Sequence, residues 1–121
     1  MDAMLMLRTV VVLLALTAAG GLVMAGIRLS RRTNPPAALA MLHGLLAAAA
    51  LGLAAFAVFT ATLPHSAMIA LFVLLVAAAG GAFMNLAFQW KQRLLPLAWI
   101  AVHATLAIVG FAFLLLAVYG H

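Results

Sequence analysis

Two histidines lie in the middle of segments made almost entirely of alanine, leucine and valine. His43 occupies the stretch MLHGLLAAAALG, and His103 occupies AVHATLAIVGFA sixty residues later. An imidazole is costly in apolar surroundings unless its ring nitrogens are bonded, so histidines at such positions usually face the interior of a helix bundle and mark a site. The two roles open to them are a hydrogen bond between helices and the ligation of a metal.

The composition predicts an integral membrane protein, embedded in a lipid bilayer, that forms a single domain over residues 1–121. Of the 121 residues, 70% are hydrophobic and 6% are charged, which leaves too little polar surface to cover a water-soluble core. A membrane-spanning helix takes about 20 residues. Four apolar stretches are that long, at residues 5–27, 37–60, 67–89 and 97–119. We therefore expect an all-α, four-helix transmembrane bundle.

The positions of the basic residues predict how the helices cross the membrane. Arg28, Arg31 and Arg32 follow the first apolar stretch and Lys91 and Arg93 follow the third, whereas Arg8 lies near the opposite face. By the positive-inside rule, the two basic loops are cytoplasmic in a bacterial inner membrane, and both termini and the turn at 63–66 lie outside. The net charge of +5 is thereby accounted for, and no nucleic-acid partner is expected.

An internal repeat relates the two halves of the chain at an offset of sixty residues. It superimposes Gly20 and Gly21 on Gly80 and Gly81, Met24 on Met84, Pro36 on Pro96, and His43 on His103. The repeat predicts two tandem helical hairpins, at about 1–60 and 61–121, that share one orientation. Equivalent residues then lie at equal depth, so the histidines and glycine pairs form one layer. The first helix also matches the third, which indicates a retained helix and not a signal peptide.

Haem b is the metal group that best fits two histidines in this chain. The sequence has no cysteine and its one acidic residue is Asp2, so nothing completes a tetrahedral zinc site. Haem iron needs only two axial ligands beyond its porphyrin, and we expect His43 and His103 to supply them. The alternative is a hydrogen bond from each ring to a neighbouring helix, for instance to Thr105 or to a backbone carbonyl.

Small residues and arginines complete the expected haem site. At helical spacing from the two histidines stand Ala47 and Ala50 on one helix, and Ala107 and Gly110 on another. Gly20, Gly21, Gly80 and Gly81 are expected to open the other walls of the slot, or alternatively to let helices pack closely. Arg31 and Arg32, within the basic cluster, are expected to bind the haem propionates.

Two methionines, an asparagine and two further histidines have alternative interpretations as site residues. Met24 and Met84 are interpreted as packing residues, with iron ligation as the alternative. Asn85 is expected to bond to a neighbouring helix, with a haem edge or a quinone carbonyl as the alternative. His65 and His121 lie on the outer side, where a second haem or metal site is the less favoured interpretation, because turn and terminal histidines are usually solvated.

With paired histidines on facing helices, the chain resembles the small four-helix membrane cytochromes b of bacteria. The resemblance implies binding of haem b and one-electron transfer with a quinone, superoxide or a partner redox subunit. Many members of that class hold two haems, but the single intramembrane histidine pair of this sequence predicts one haem b per chain. Any enzyme activity would be that of a haem-dependent membrane oxidoreductase, and a homodimer or partner cytochrome would be needed to carry electrons across the membrane. The competing prediction is a cofactor-free accessory or structural subunit.

Overall fold

Four helices make up most of the chain, and the prediction of an all-helical, four-helix fold is confirmed. The computed structural model describes residues 2–120. The helices are α1 (Ala3–Arg31), α2 (Ala37–Thr60), α3 (His65–Met84) and α4 (Leu97–Tyr119), and α3 continues through a π-helical turn at Asn85–Gln89. Each of the four is long and apolar enough to cross a membrane.

Prolines and a capping aspartate determine where the helices begin. α2 and α4 begin directly after Pro36 and Pro96 and have the predicted bounds. Proline is tolerated there because the N–H groups at the start of a helix have no hydrogen-bond acceptor within the helix, so the N–H that proline lacks costs no bond. α1 begins earlier than predicted because the Asp2 carboxylate accepts a hydrogen bond of 2.8 Å from the Leu5 backbone N–H.

The connection between α2 and α3 is shorter than the sequence predicts. His65 is the first residue of α3 instead of a turn residue, and the connection comprises only residues 61–64. Pro64 stands directly before it with φ −58° and ψ 150°, an extended conformation from which the next residue enters the helix. The expectation of a turn at 63–66 is therefore wrong by two residues at its end.

The helices are arranged as two hairpins placed side by side. α1 packs along α2 and α3 packs along α4, and less extensive contacts between α2 and α3 and between α1 and α4 join the hairpins. α2 and α4 therefore lie diagonally across the bundle. We call the end with the loops 32–36 and 90–96 the basic end. The opposite end, with the 61–64 connection, the start of α1 and the end of α4, is called the termini end.

The hydrophobic core is concentrated toward the termini end. It is built mainly of alanine and leucine: Leu7, Val10, Leu14, Ala50, Leu51, Ala54, Ala57, Ala67, Ala70, Leu71, Leu74, Leu114, Ala117 and Val118. A Cβ atom at Gly110 would lie 2.6 Å from Cγ of Leu74, so this glycine permits the close approach of α3 and α4. The outer surface of the bundle is apolar as well, with Leu22 76% exposed and Phe59 84% exposed.

Hydrogen bonds join the two loops at the basic end. Asn34 is central, since its Nδ2 donates to the Arg93 carbonyl (2.6 Å) and its Oδ1 accepts from the Leu95 N–H (2.9 Å). Gln89 Nε2 donates to the Pro35 carbonyl at 2.7 Å. Arg28 Nε donates to the Leu95 carbonyl at 2.9 Å. We call these four bonds the loop bridge; they connect the two hairpins at the end where the core does not.

Candidate cofactor site

The structure brings the two predicted histidines together across the centre of the bundle. His43 projects from α2 and His103 from α4, and the centres of their rings lie 6.2 Å apart with the ring planes at 68°. Both side chains are half-buried. Because α2 and α4 are on a diagonal, the two rings meet between the hairpins. We call these two residues the histidine pair.

Each ring of the histidine pair is held by the same kind of contact. His43 Nδ1 lies 2.8 Å from the Thr17 carbonyl oxygen, and His103 Nδ1 lies 2.7 Å from that of Ala77. A carbonyl oxygen only accepts, so each Nδ1 carries a proton and each neutral ring has its lone pair on Nε2. Within residues 2–120 neither Nε2 has a hydrogen-bond partner. Metal-binding histidines commonly have this arrangement, with one nitrogen bonded to a carbonyl and the other directed at the metal.

Thr105 is not a partner of either ring. Its hydroxyl donates to the Ala101 carbonyl of its own helix at 2.7 Å, and the side chain is exposed. Of the two hydrogen-bond partners that the sequence leaves open, the structure therefore has the backbone carbonyl.

Gly21 and Gly81 make room for the two rings. Each follows by four residues the carbonyl group that holds a ring, and a Cβ at either position would lie 3.1 Å from Cε1 of the adjacent histidine. At Gly20 the added atom would be an ordinary 3.9 Å from Nδ1 of His43, and at Gly80 it would meet no described atom within 4 Å. The second glycine of each pair thus contacts an imidazole, and the first does not crowd one.

The histidine pair lies between two cavities. The larger, of about 390 Å³, extends toward the basic end, and the smaller, of about 140 Å³, extends toward the termini end. Both share walls formed by His43, Ala47, Leu51, Ala78 and His103. The larger is bordered by surface residues of α2 and α3, and the smaller by surface residues of α1 and α4. Together they form a slot between the hairpins, with one histidine on each side.

The predicted small residues divide between this slot and the core. Ala47 lines both cavities and Ala107 lines the smaller one. Ala50 is fully buried in the core, and Gly110 packs against Leu74. Ala50 and Gly110 lie three residues farther toward the termini end than Ala47 and Ala107, where the helices have already closed together.

Arg28 is the arginine that reaches the cavity. It is 9% exposed and lines the larger cavity, whereas Arg31 and Arg32 are exposed and are not part of either cavity wall. α1 ends at Arg31, and Arg32 has a left-handed φ of 52°, so the chain turns away into the loop before these two side chains can follow Arg28 inward.

Polar and sulfur-containing side chains also line the larger cavity. Asn85 opens the π-helical turn, and its side-chain amide makes no hydrogen bond within the described part of the chain. Gln89 has a buried Oε1 that accepts no hydrogen bond from any residue between 2 and 120. Met24 and Met84 form part of the same wall. The sequence gives no sign that Gln89 belongs to a site, because it lies at the end of an apolar span like an ordinary boundary residue.

The site has a symmetric part and a part present once. The histidine pair, the carbonyls of Thr17 and Ala77, and Gly21 and Gly81 correspond at the offset of sixty residues. Arg32 and Gln92 also correspond, and both have positive φ. The polar residues at the basic end have apolar counterparts: Phe88 for Arg28, Leu94 for Asn34, Ala25 for Asn85 and Leu29 for Gln89. These four polar side chains therefore occur once each, and the basic end is where the two halves of the site differ.

His65 is remote from this site. His65 begins α3 at the termini end, and His121 lies outside the described residues. No group of three or more histidine, aspartate or glutamate side chains able to hold a metal ion occurs within residues 2–120.

Comparisons with protein-family models, with curated proteins and with solved structures found no match to this chain.

Proposed function

We propose that the chain is a bacterial inner-membrane protein, built of two tandem hairpins, that binds one haem b between His43 and His103 and transfers single electrons. The observation that carries the proposal is the pairing of the two rings. Each has its Nδ1 proton donated to a carbonyl, and the ring centres lie 6.2 Å apart across the slot.

The separation of the rings suits two imidazoles that share one metal ion. An imidazole nitrogen bonds a metal at about 2 Å, which puts the ring centre about 3 Å from the metal and two opposed ring centres about 6 Å apart. Haem iron takes four nitrogens from its porphyrin, so two imidazoles complete its coordination. The chain has no cysteine and a single acidic residue, a poor donor set for other metal centres.

The slot has the position and the lining that a flat macrocycle requires. It extends to both sides of the histidine pair, and its shared walls are the small or apolar Ala47, Leu51 and Ala78. The larger cavity of about 390 Å³ is within the usual size range of small-molecule sites. A bound haem supplies one-electron oxidation and reduction, while the chain holds the iron, fixes the imidazole orientation and limits access of water. A quinone, superoxide or a partner redox subunit is the proposed reaction partner.

The distribution of apolar and basic residues supports membrane insertion with the basic end in the cytoplasm. The four helices qualify as spans, and large apolar side chains cover the outside of the bundle. Five of the six lysines and arginines lie at the basic end, in the last turn of α1 or in the two loops, as the positive-inside rule requires of a cytoplasmic face. The histidine pair lies nearer this end, so a homodimer or a partner cytochrome would be needed to carry electrons to the other face.

A cofactor-free accessory subunit is the second candidate function. The observation that favours it is again the pair of Nδ1 bonds, because each satisfies one ring nitrogen and connects two helices without any ligand. The two candidate functions differ at Nε2, which binds iron in the haem protein and binds no metal in the accessory subunit. An absorption spectrum distinguishes them.

The test is the spectrum of the full-length protein purified from membranes in mild detergent, with a haem-to-protein stoichiometry. We expect one haem per chain, a sharp Soret band and split visible bands on reduction. His43→Ala and His103→Ala should each abolish the six-coordinate spectrum, because each removes an axial ligand. His65→Ala is the matched control at the termini end and should keep it. A wild-type protein that takes up no haem even when haemin is supplied would favour the accessory subunit.

A further inference from the structure

Arg28 is a buried cation without an anionic partner within residues 2–120. Its side chain is 9% exposed, and its one hydrogen bond in the described structure runs from Nε to the Leu95 carbonyl. The sequence contains a single acidic residue, Asp2. Asp2 caps the start of α1, about 39 Å from Arg28 at 1.5 Å per helical residue. A buried charge without a counterion is strongly unfavourable, so a guanidinium in this position calls for an anion from outside the chain.

We propose that Arg28 binds a propionate carboxylate of the haem, an inference that rests on the proposed function. Arg28 and the histidine pair line the same cavity, and Arg28 is the one charged side chain in the described wall of either cavity. Its Nε is occupied by the loop bridge, which holds the guanidinium in place and leaves its terminal N–H groups for a carboxylate. Guanidinium and carboxylate groups match in shape and charge and form short, strong hydrogen bonds.

This contact also selects one orientation of the haem. The histidine pair would hold only the iron, at the centre of the porphyrin, and so does not itself determine which edge of the ring faces the basic end. Arg28 lines the larger cavity, which extends toward the basic end, and no lysine, arginine or acidic side chain is part of the described wall of the smaller cavity. The propionate edge therefore faces the basic end, and the apolar vinyl-bearing part of the ring extends toward the smaller cavity, beside Ala107 and Phe111.

The test compares the binding of haemin with that of haemin dimethyl ester, in which both propionates are neutral esters. Full-length protein produced without haem is titrated with each in the same detergent. We expect the wild type to bind haemin at least about tenfold more tightly than the ester, the usual scale of a charge-assisted hydrogen bond. Arg28→Leu should bind both with similar affinity. Arg31→Leu and Arg32→Leu are matched controls, since these arginines are exposed, and both should keep the wild-type preference.

The readout is a ratio of affinities, so a general loosening of the site affects both ligands and leaves the ratio unchanged. Equal binding of haemin and the ester by the wild type overturns the inference, as would be the case if a lipid phosphate neutralised Arg28. A preference for haemin over the ester that persists in Arg28→Leu overturns the inference as well. If that variant fails to fold, the comparison of haemin with the ester in the wild type still tests whether the propionates are bound. If neither haemin nor the ester binds, the proposed function itself fails; ester binding without a preference for haemin leaves that function intact.

Discussion

Each imidazole of the histidine pair depends on a glycine in the neighbouring helix. In an α-helix the side chain of a residue lies over the turn that precedes it, so a residue four positions after a carbonyl partly covers that carbonyl. Gly21 and Gly81 occupy this position relative to Thr17 and Ala77. The missing side chains expose the two carbonyl groups and allow the rings to approach them.

Adjacent glycines in α3 give a matched test of this dependence. In Gly81→Ala the new methyl would lie 3.1 Å from Cε1 of His103, so the ring has to move and its bond to the Ala77 carbonyl is strained. We expect haem affinity to fall about tenfold, equivalent to about 1.4 kcal/mol. Gly80→Ala meets open space and should keep the affinity, while the thermal midpoint rises because alanine is favoured in helices by about 1 kcal/mol.

Haem titration and thermal unfolding of the two variants side by side are the measurements. Equal haem affinity in Gly80→Ala and Gly81→Ala would contradict a specific role of Gly81 in holding the ring.

The sequence predicts some of these residues better than others, for physical reasons. His43 and His103 are recognisable because an imidazole is exceptional in an apolar span, and a repeat that aligns them is more exceptional still. The sequence does not predict that Arg28, and not Arg31 or Arg32, lines the cavity. All three fall within about one turn of the same helix end, and the difference arises from where α1 stops and the left-handed Arg32 begins the loop.

At the scale of the helices, apolar length and proline determine most of the boundaries. Residues 37–60 and 97–119 are helical as predicted, because each apolar run starts directly after a proline. The π-helical turn at Asn85–Gln89 has no comparable sequence signal. It is visible only in the hydrogen bonds, such as the 2.9 Å bond from the Trp90 N–H to the Asn85 carbonyl five residues earlier. Such turns are frequent at functional sites, and this one carries two of the polar residues that line the larger cavity.

The loop bridge leads to a prediction about how the hairpins are joined. Asn34→Leu, which introduces the residue found at the equivalent position 94, removes both hydrogen bonds of Asn34. It also leaves the Leu95 N–H without its acceptor, so we expect a loss of about 1–3 kcal/mol in the free energy of unfolding.

Thermal or denaturant unfolding in detergent measures this loss, with Thr33→Ala as the control because Thr33 is exposed and adjacent. Haem should still bind to Asn34→Leu, since the histidine pair is untouched. A free energy of unfolding of Asn34→Leu equal to that of the control would mean that the loop bridge contributes little to the association of the hairpins.

For the whole molecule, the absence of cysteine from the sequence makes a direct test of orientation simple. Thr33→Cys places a thiol in a loop at the basic end, and Thr62→Cys places one in the connection at the termini end. The two substitutions are matched, since each replaces an exposed threonine. In intact spheroplasts, a membrane-impermeant maleimide should label the thiol at position 62 and leave the one at position 33 unlabelled until the membrane is lysed.

Labelling of position 33 alone in intact spheroplasts would mean that the basic end faces outward, opposite to the proposed orientation. Labelling of both positions before lysis would contradict the proposed membrane insertion.

The slot lies between a tightly packed core and a hydrogen-bonded pair of loops, so neither end of the bundle offers a way in. Its openings are on the flanks, beside surface residues of α2 and α3 and of α1 and α4. A rigid disc-shaped guest must therefore slide in sideways from the surrounding hydrocarbon, or be enclosed while the second hairpin docks onto the first. Delivery of such a guest from the aqueous side would require the two loops to separate first. The guest must therefore enter either from the lipid or before the loops at the basic end have joined.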